Sequence, residues 1–244
     1  MTPSFPLQQA ESAHFDLLIH FTGRPAGTSL TPFVDDAVAA MSPEQRLDSI
    51  LWGQMLHGFA PFGAAEDQRM ICLSESPPDH LHWLIKTRAW PPWGLIFPRQ
   101  TVYNLGGGPV WHARQEQYGM LRPDQIRWAT RFDTTPGNRS DWLHEREWRI
   151  PLPQGAPGLL LPVGSITTIV VGTPGWAPSQ RLTQRETGYY IDQSDGQYCD
   201  PSDVFARPEI REVMSLPPLW ESAHKLYWDP TAQAFLPTET GQAG

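Results

Sequence analysis

Two carboxylates, Glu145 and Glu147, stand two positions apart in the run Asp141-Trp142-Leu143-His144-Glu145-Arg146-Glu147-Trp148-Arg149-Ile150. Read as a strand, this spacing puts both acids on one face, roughly 6.6 Å apart along the surface, close enough to couple electrostatically. Two like charges held together are costly, and Arg149 on the same face offsets them. Such an arrangement marks a functional site more often than a random surface. The same residues also allow a helix capped by Ser140, in which Glu145 and Arg149 form a solvated i,i+4 pair worth only ~0.2–0.5 kcal/mol.

Other polar residues fall at the ends of expected elements. Phe15–Phe21 reads as a buried strand, leaving His20 near its end and Thr22 and Arg24 in the turn Thr22-Gly23-Arg24-Pro25. Arg69–Ser74 reads as a second strand, halted by Pro77-Pro78, with Ser74 and Ser76 just before a helix over Asp79–Arg88. Ser42-Pro43-Glu44-Gln45 starts a helix with an apolar face at Leu47, Ile50, Leu51 and Met55, ended by Gly58. Thr31-Pro32 would begin a shorter one. Strands are expected at Trp93–Phe97, Thr101–Tyr103, Pro109–Ala113 and Ile166–Gly172. Gly106-Gly107-Gly108 is expected to form a hairpin or mobile loop, because no strand-to-helix phosphate loop surrounds it. Cys72, between Ile71 and Leu73, is expected to be a buried thiol.

In chain order these pieces are His20-Phe21-Thr22 on a first strand, Leu73-Ser74-Glu75-Ser76 between strand and helix, and Glu145-Arg146-Glu147-Trp148 on a late strand. That order resembles the ADP-ribosyltransferase superfamily. His20-x-Thr22 and Glu147-Trp148-Arg149-Ile150 are similar to the first and last motifs of the diphtheria-toxin and poly-ADP-ribose polymerase branch. Ser74-Glu75-Ser76 and Glu145-Arg146-Glu147 look like the Ser-Thr-Ser and Glu-x-Glu motifs of the other toxin branch. Over roughly residues 15–172 the layout is also similar to bacterial abortive-infection and phage-resistance proteins and to DNA-targeting ADP-ribosyltransferase toxins. The chain departs from the polymerase pattern where a Tyr stacks nicotinamide, since Leu73 and Ser74 stand there.

The resemblance implies an α+β fold: an ADP-ribosyltransferase-like split β-sheet core with flanking helices over 15–175, after an N-terminal tail at 1–14. A C-terminal extension with a polar tail occupies 176–244. It implies NAD as substrate, with Glu147 stabilising the ribosyl oxocarbenium and Glu145 orienting or deprotonating the acceptor. His20 would donate to a hydroxyl of the adenosine ribose, with Thr22, Ser74 and Ser76 as further polar anchors. Arg24, Arg69 or Arg149 would meet the pyrophosphate bidentately. The implied acceptor is a protein or nucleic acid, and a neutralising or defence-system protein is an expected partner. A second reading keeps the fold as a non-catalytic scaffold that binds a nucleotide or protein. An RNA 2'-phosphotransferase-like activity would need several basic residues that find no match here.

Composition narrows the classes further. Hydrophobic content of 40%, eleven Trp and 18% charged residues describe a folded globular chain despite 26 prolines. A net charge of -8 supplies no global field for nucleic acid or anionic membrane. Two cysteines make neither a disulfide framework nor a metal quartet, and His80 and His82 point apart on a helix, unlike a zinc-binding i,i+4 pair, so no metal is expected. With no signal peptide or long apolar run, a cytoplasmic protein without membrane partners is expected.

Overall fold

The computed structural model describes residues 16–25, 36–60 and 67–237. The chain begins with β1 (Leu17–Phe21), α1 (Asp36–Ala40), α2 (Pro43–Gly53) and β2 (Met55–His57). It continues with β3 (Met70–Ser74), α3 (Pro78–Arg88), β4 (Gly94–Pro98) and α4 (Arg99–Asn104), then β5 (Gly108–Pro109) and β6 (Trp111–Arg114). Two short helices, α5 (Gln115–Tyr118) and α6 (Pro123–Ile126), lead to β7 (Ala129–Phe132). A 3-10 turn at Leu143–Glu145 precedes β8 (Glu147–Pro151), followed by β9 (Gly158–Leu160) and β10 (Thr168–Val171). The last third holds β11 (Arg181–Asp192), β12 (Tyr198–Cys199), β13 (Ala206–Ser215), α7 (Pro218–Ser222), β14 (His224–Asp229) and β15 (Ala234–Pro237). The fold is α+β, and no helix among the described residues is long and apolar enough to cross a membrane.

The main sheet has the order β15-β14-β10-β4-β1-β3-β8-β5. Alternation along its central strands sorts their side chains between two layers. Leu18, Leu95, Phe97, Ile169 and Val171 pack with Leu47 and Leu51 of α2 and with Leu219 and Trp220 of α7. Ile19 and Val170 face the other way, under Leu81 and Ile85 of α3 and beside Trp228. The ladder is uneven. β1 pairs with β4 through Leu17↔Pro98 to Phe21↔Gly94, but touches β3 only at Ile19↔Ser74. β3 in turn pairs with β8 from Met70↔Pro151 to Ser74↔Glu147. The sheet is therefore two ladders joined at one step, and beyond that step β1 and β3 diverge.

Several expectations meet a different local structure. The α2 start is a full capping box: Gln45 N–H donates to Ser42 Oγ at 3.1 Å, and Ser42 N–H to Gln45 Oε1 at 2.8 Å. The helix ends at Gly53 rather than Gly58, because Gln54 turns left-handed and Met55 enters β2 against β9. Thr101–Tyr103 is helical in α4, where the Leu105 N–H donates to the Thr101 carbonyl at 3.1 Å; the burial of Val102 between less buried neighbours suits a helix turn as well as a strand. Pro109–Ala113 breaks at Val110 into β5, which pairs antiparallel with β8, and β6, which runs parallel to β7. The three glycines form no hairpin; they link α4 to β5, with Gly106 at a positive φ of 82°. The Thr31-Pro32 helix start lies outside the described residues.

No break follows residue 175. β14 pairs in parallel with β10, and β15 pairs with β14, so residues 224–237 complete the main sheet and belong to the core. Of the strands after residue 175, β11, β12 and β13 stand apart from it, as a three-stranded sheet.

Gly94 lets β4 lie close against β1, since a Cβ there would sit 2.6 Å from the His20 carbonyl oxygen. Gly94→Ala should therefore cost about 1–3 kcal/mol. Thermal denaturation should register a loss of about 2–4 °C per kcal/mol at this chain length. An unchanged midpoint would mean that the two strands have room to separate.

Candidate active site

Where β1 and β3 part, a cavity of about 160 Å³ opens between them. β1 contributes Ile19, His20 and Phe21, and β3 contributes Cys72, Leu73 and Ser74. Glu147 enters from the start of β8 and Glu145 from the turn before it, and Arg24, Ile50, Phe59, Leu84 and Trp90 close the sides. The walls are mainly apolar. Phe21 and Trp90 hold their rings 4.8 Å apart, and the Arg24 guanidinium lies 5.7 Å from the centre of the Phe59 ring.

The two acids arrive by different routes. Glu147 opens β8, whereas Glu145 ends the 3-10 turn, and Arg146 between them takes the left-handed conformation (φ 44°, ψ 48°). Neither a continuous strand over both acids nor a Ser140-capped helix forms. Glu147 is clamped by Arg149, whose Nε and Nη2 each donate to one carboxylate oxygen at 2.9 Å. Arg149 is 4% exposed, and its Nη1 donates to the carbonyls of Arg127 and Ala129 at 2.9 and 3.1 Å. It does not line the cavity, and its donors are committed to Glu147 and the backbone, so the expected pyrophosphate contact has no free group to make it. Arg24 is the expected arginine that reaches the cavity, and among the described residues no hydrogen bond or ion pair engages it. Arg46, the other lining arginine, is spent on the carbonyls of Thr22, Val38 and Ala39. Arg69 is not among the lining residues.

Burial, and then the charge of Glu147, push the Glu145 carboxyl up to about 7, against the pull of Arg24, Arg88 and Arg149. The site thus contains a guanidinium-clamped carboxylate beside an acid able to gain or lose a proton near neutrality. Burial also lowers His20, whose Nδ1 lies 2.9 Å from the Cys72 carbonyl. A carbonyl only accepts, so Nδ1 carries the proton, and in the neutral ring Nε2 is an acceptor. The donor role expected for His20 is thereby reversed.

Thr22 is 4% exposed and donates its hydroxyl to the Pro43 carbonyl at 2.7 Å, joining the end of β1 to α2. Ser74 Oγ donates to the Glu145 carbonyl at 2.5 Å, so Ser76 Oγ, 2.7 Å away, donates to Ser74. Ser74 borders the cavity and Ser76 does not. Their hydroxyls brace the acidic turn rather than face a ligand.

Cys72, Phe59 and Trp90 were not among the expected site residues. Cys72 lines the cavity; burial and then the charge of Glu147 push its thiol well above the ordinary thiol range, which keeps it protonated and poorly nucleophilic. Strict alternation from the buried Ile71 and Leu73 would have placed it there. Among the described residues no three His, Cys, Asp or Glu side chains group as metal ligands.

The raised value of Glu145 gives stability a definite pH slope. The folded protein keeps a proton that the unfolded chain has lost between 4.5 and about 7. Stability from the neutral form is fully present below the lower value and lost as pH rises through the upper one, by at most about 3 kcal/mol. Urea midpoints of the wild type should fall from pH 5 to pH 8, and Glu145→Gln should flatten that fall. Equal slopes in the two proteins would contradict the burial of this acid. Compared with protein-family models, curated proteins and solved structures, the chain matches none.

Proposed function

We propose that the chain is an NAD-consuming, ADP-ribosyltransferase-like enzyme, acting as an intracellular toxin or phage-defence effector. The observation that carries this reading is that Glu145, Glu147 and His20, far apart in sequence, line one cavity at the divergence of β1 and β3. A split sheet with a cleft at the split is what an ADP-ribosyltransferase-like core requires.

The cavity's size bears on what enters it. An engineered apolar cavity of about 150 Å³ accepts one benzene. Nicotinamide fits that scale, with Phe21 and Trp90 as the aromatic surface in place of the missing Tyr. The rest of the dinucleotide would extend past Arg24, a lining guanidinium suited to its pyrophosphate. A ribose hydroxyl can donate to His20 Nε2.

On cleavage the electron pair of the glycosidic C–N bond leaves with nicotinamide, and positive charge develops on the ribose. A carboxylate fixed in an apolar, partly dry site stabilises that charge without reorganising, which is the role of Glu147. An acceptor then bonds to the anomeric carbon and gives its proton to Glu145, whose value near 7 suits a base at neutral pH. The acceptor is a protein, a nucleic acid or water.

The Arg149 clamp favours a second reading, a scaffold that binds a nucleotide without turnover. Its guanidinium already neutralises the carboxylate that should face the oxocarbenium.

Purified protein incubated with NAD should release nicotinamide, and Glu147→Gln should reduce that rate about 10²–10³-fold. The acidic limb of the pH–rate profile should turn near 7 and vanish in Glu145→Gln. NAD binding without nicotinamide release would establish the scaffold instead, and no binding at all would remove both readings.

A further inference from the structure

Glu75 lies outside the cavity, yet its contacts converge on the turn that delivers both acids. Its side chain is 15% exposed and accepts from three donors: Arg99 Nη2 at 2.6 Å, Arg146 Nη2 at 3.3 Å and Trp148 Nε1 at 3.0 Å. Its backbone N–H donates to the Arg146 carbonyl at 3.1 Å. Immediately before it, Ser74 Oγ holds the Glu145 carbonyl. The ladder between β3 and β8 is thus carried past the end of the strands, across a residue that is left-handed and not glycine.

A left-handed arginine is intrinsically unfavourable and persists only where its surroundings over-determine it. The turn has two covalent neighbours of consequence. On one side Glu145 ends the 3-10 turn, and on the other Glu147 begins β8 under the Arg149 clamp. If Arg146 relaxed to an ordinary extended conformation, the chain before Glu147 would leave in a different direction and Glu145 would be drawn from the cavity.

We propose that Glu75 is a positioning residue: it pins the left-handed turn at Arg146 and so holds the Glu145 carboxyl in the cavity beside Glu147. The role extends the enzymatic reading of the same site, but the geometry it asserts does not depend on NAD. Held there, Glu145 is faced by Glu147 and Arg149 from β8, by Arg24 beyond β1 and by Arg88 from α3, with His20 and Cys72 on the cavity wall. Released, it is solvated and titrates as an ordinary glutamate.

Three variants separate positioning from simple loss of a buried charge. Glu75→Gln removes the charged anchor. Arg146→Ala leaves Arg99 and Trp148 on Glu75 but deletes the side chain that ties the turn. Arg146→Gly deletes the same side chain and supplies a residue that adopts positive φ without penalty.

The test has two readouts: the pH dependence of the urea midpoint, which reports Glu145 titration whether or not NAD is consumed, and nicotinamide release. Glu75→Gln and Arg146→Ala should shift the titration step from near 7 toward the ordinary glutamate range and slow release about 10²-fold, as small misplacements of catalytic groups do. Arg146→Gly should keep both close to wild type. A step that stays near 7 in Arg146→Ala, or that moves equally in Arg146→Gly, would overturn the proposal. Should Glu75→Gln fail to fold, the two Arg146 variants decide it. A wild type that shows the step but releases no nicotinamide would defeat the NAD reading alone.

Discussion

The guanidinium of Arg149 is a full charge in a nearly dry interior, and the acidic side of the molecule is built to satisfy it. Such a group is tolerated only when a counter-charge and carbonyls replace its lost water. Glu147 supplies the first bidentately, and Arg127 and Ala129 supply the second. Because the partner is two residues away on the same strand, the clamp fixes the rotamer of Glu147. Because the carbonyls belong to the α6–β7 junction and to β7, it also ties the 111–132 segment to the main sheet. Removing either charged partner would strand the other, a loss of about 3–5 kcal/mol.

The clamp also governs its neighbours. Cys72 and Glu145 both feel the Glu147 carboxylate, and both are pushed toward their neutral forms by it as well as by burial. Charge fixed at one point thus favours the neutral forms of both neighbours. The divergence of β1 from β3 does the rest: without a strand to fill the gap, apolar side chains from β1, α2 and α3 border it, and their low polarity strengthens every electrostatic contact inside. Architecture and electrostatics meet at the single pair Ile19↔Ser74, which joins the ladder bearing His20 to the one bearing the acids.

Local signals in the sequence located the elements well where the chain's own neighbours decide the outcome. Ser42 and Gln45 form their capping box within four residues, and the β-branched run Thr168–Val171 becomes β10. That His20, Glu145 and Glu147 should share a cavity is implied by the resemblance their order carries, and no local signal in the sequence shows it. What escaped was decided at long range. The left-handed Arg146 depends on Glu75, 71 residues earlier, and nothing in Glu-Arg-Glu announces it. Arg149 reads as a ligand-binding cation until its carbonyl partners, about twenty residues upstream, are placed. His20 reads as a donor until the Cys72 carbonyl fixes its tautomer. β14 belongs to the sheet only through a parallel partner more than fifty residues away, which no hairpin signal can reveal.

The last third of the chain consequently has two parts of unlike dispensability. Cutting after residue 175 would strip β10 of one of its two neighbours and open Ile169, Val170 and Val171 to water along an unpaired, apolar strand edge prone to aggregation. The projecting sheet is different. Arg181 and Ser215 stand opposite one another at its base, while Trp52 and Asp48 of α2 fasten Ser179 just before it. Those facing ends leave the three strands outside the ladder of the eight-stranded sheet, and Arg181 on Asp48 and Trp52 and Arg185 on Glu221 tie them to α2 and α7 by side chains alone.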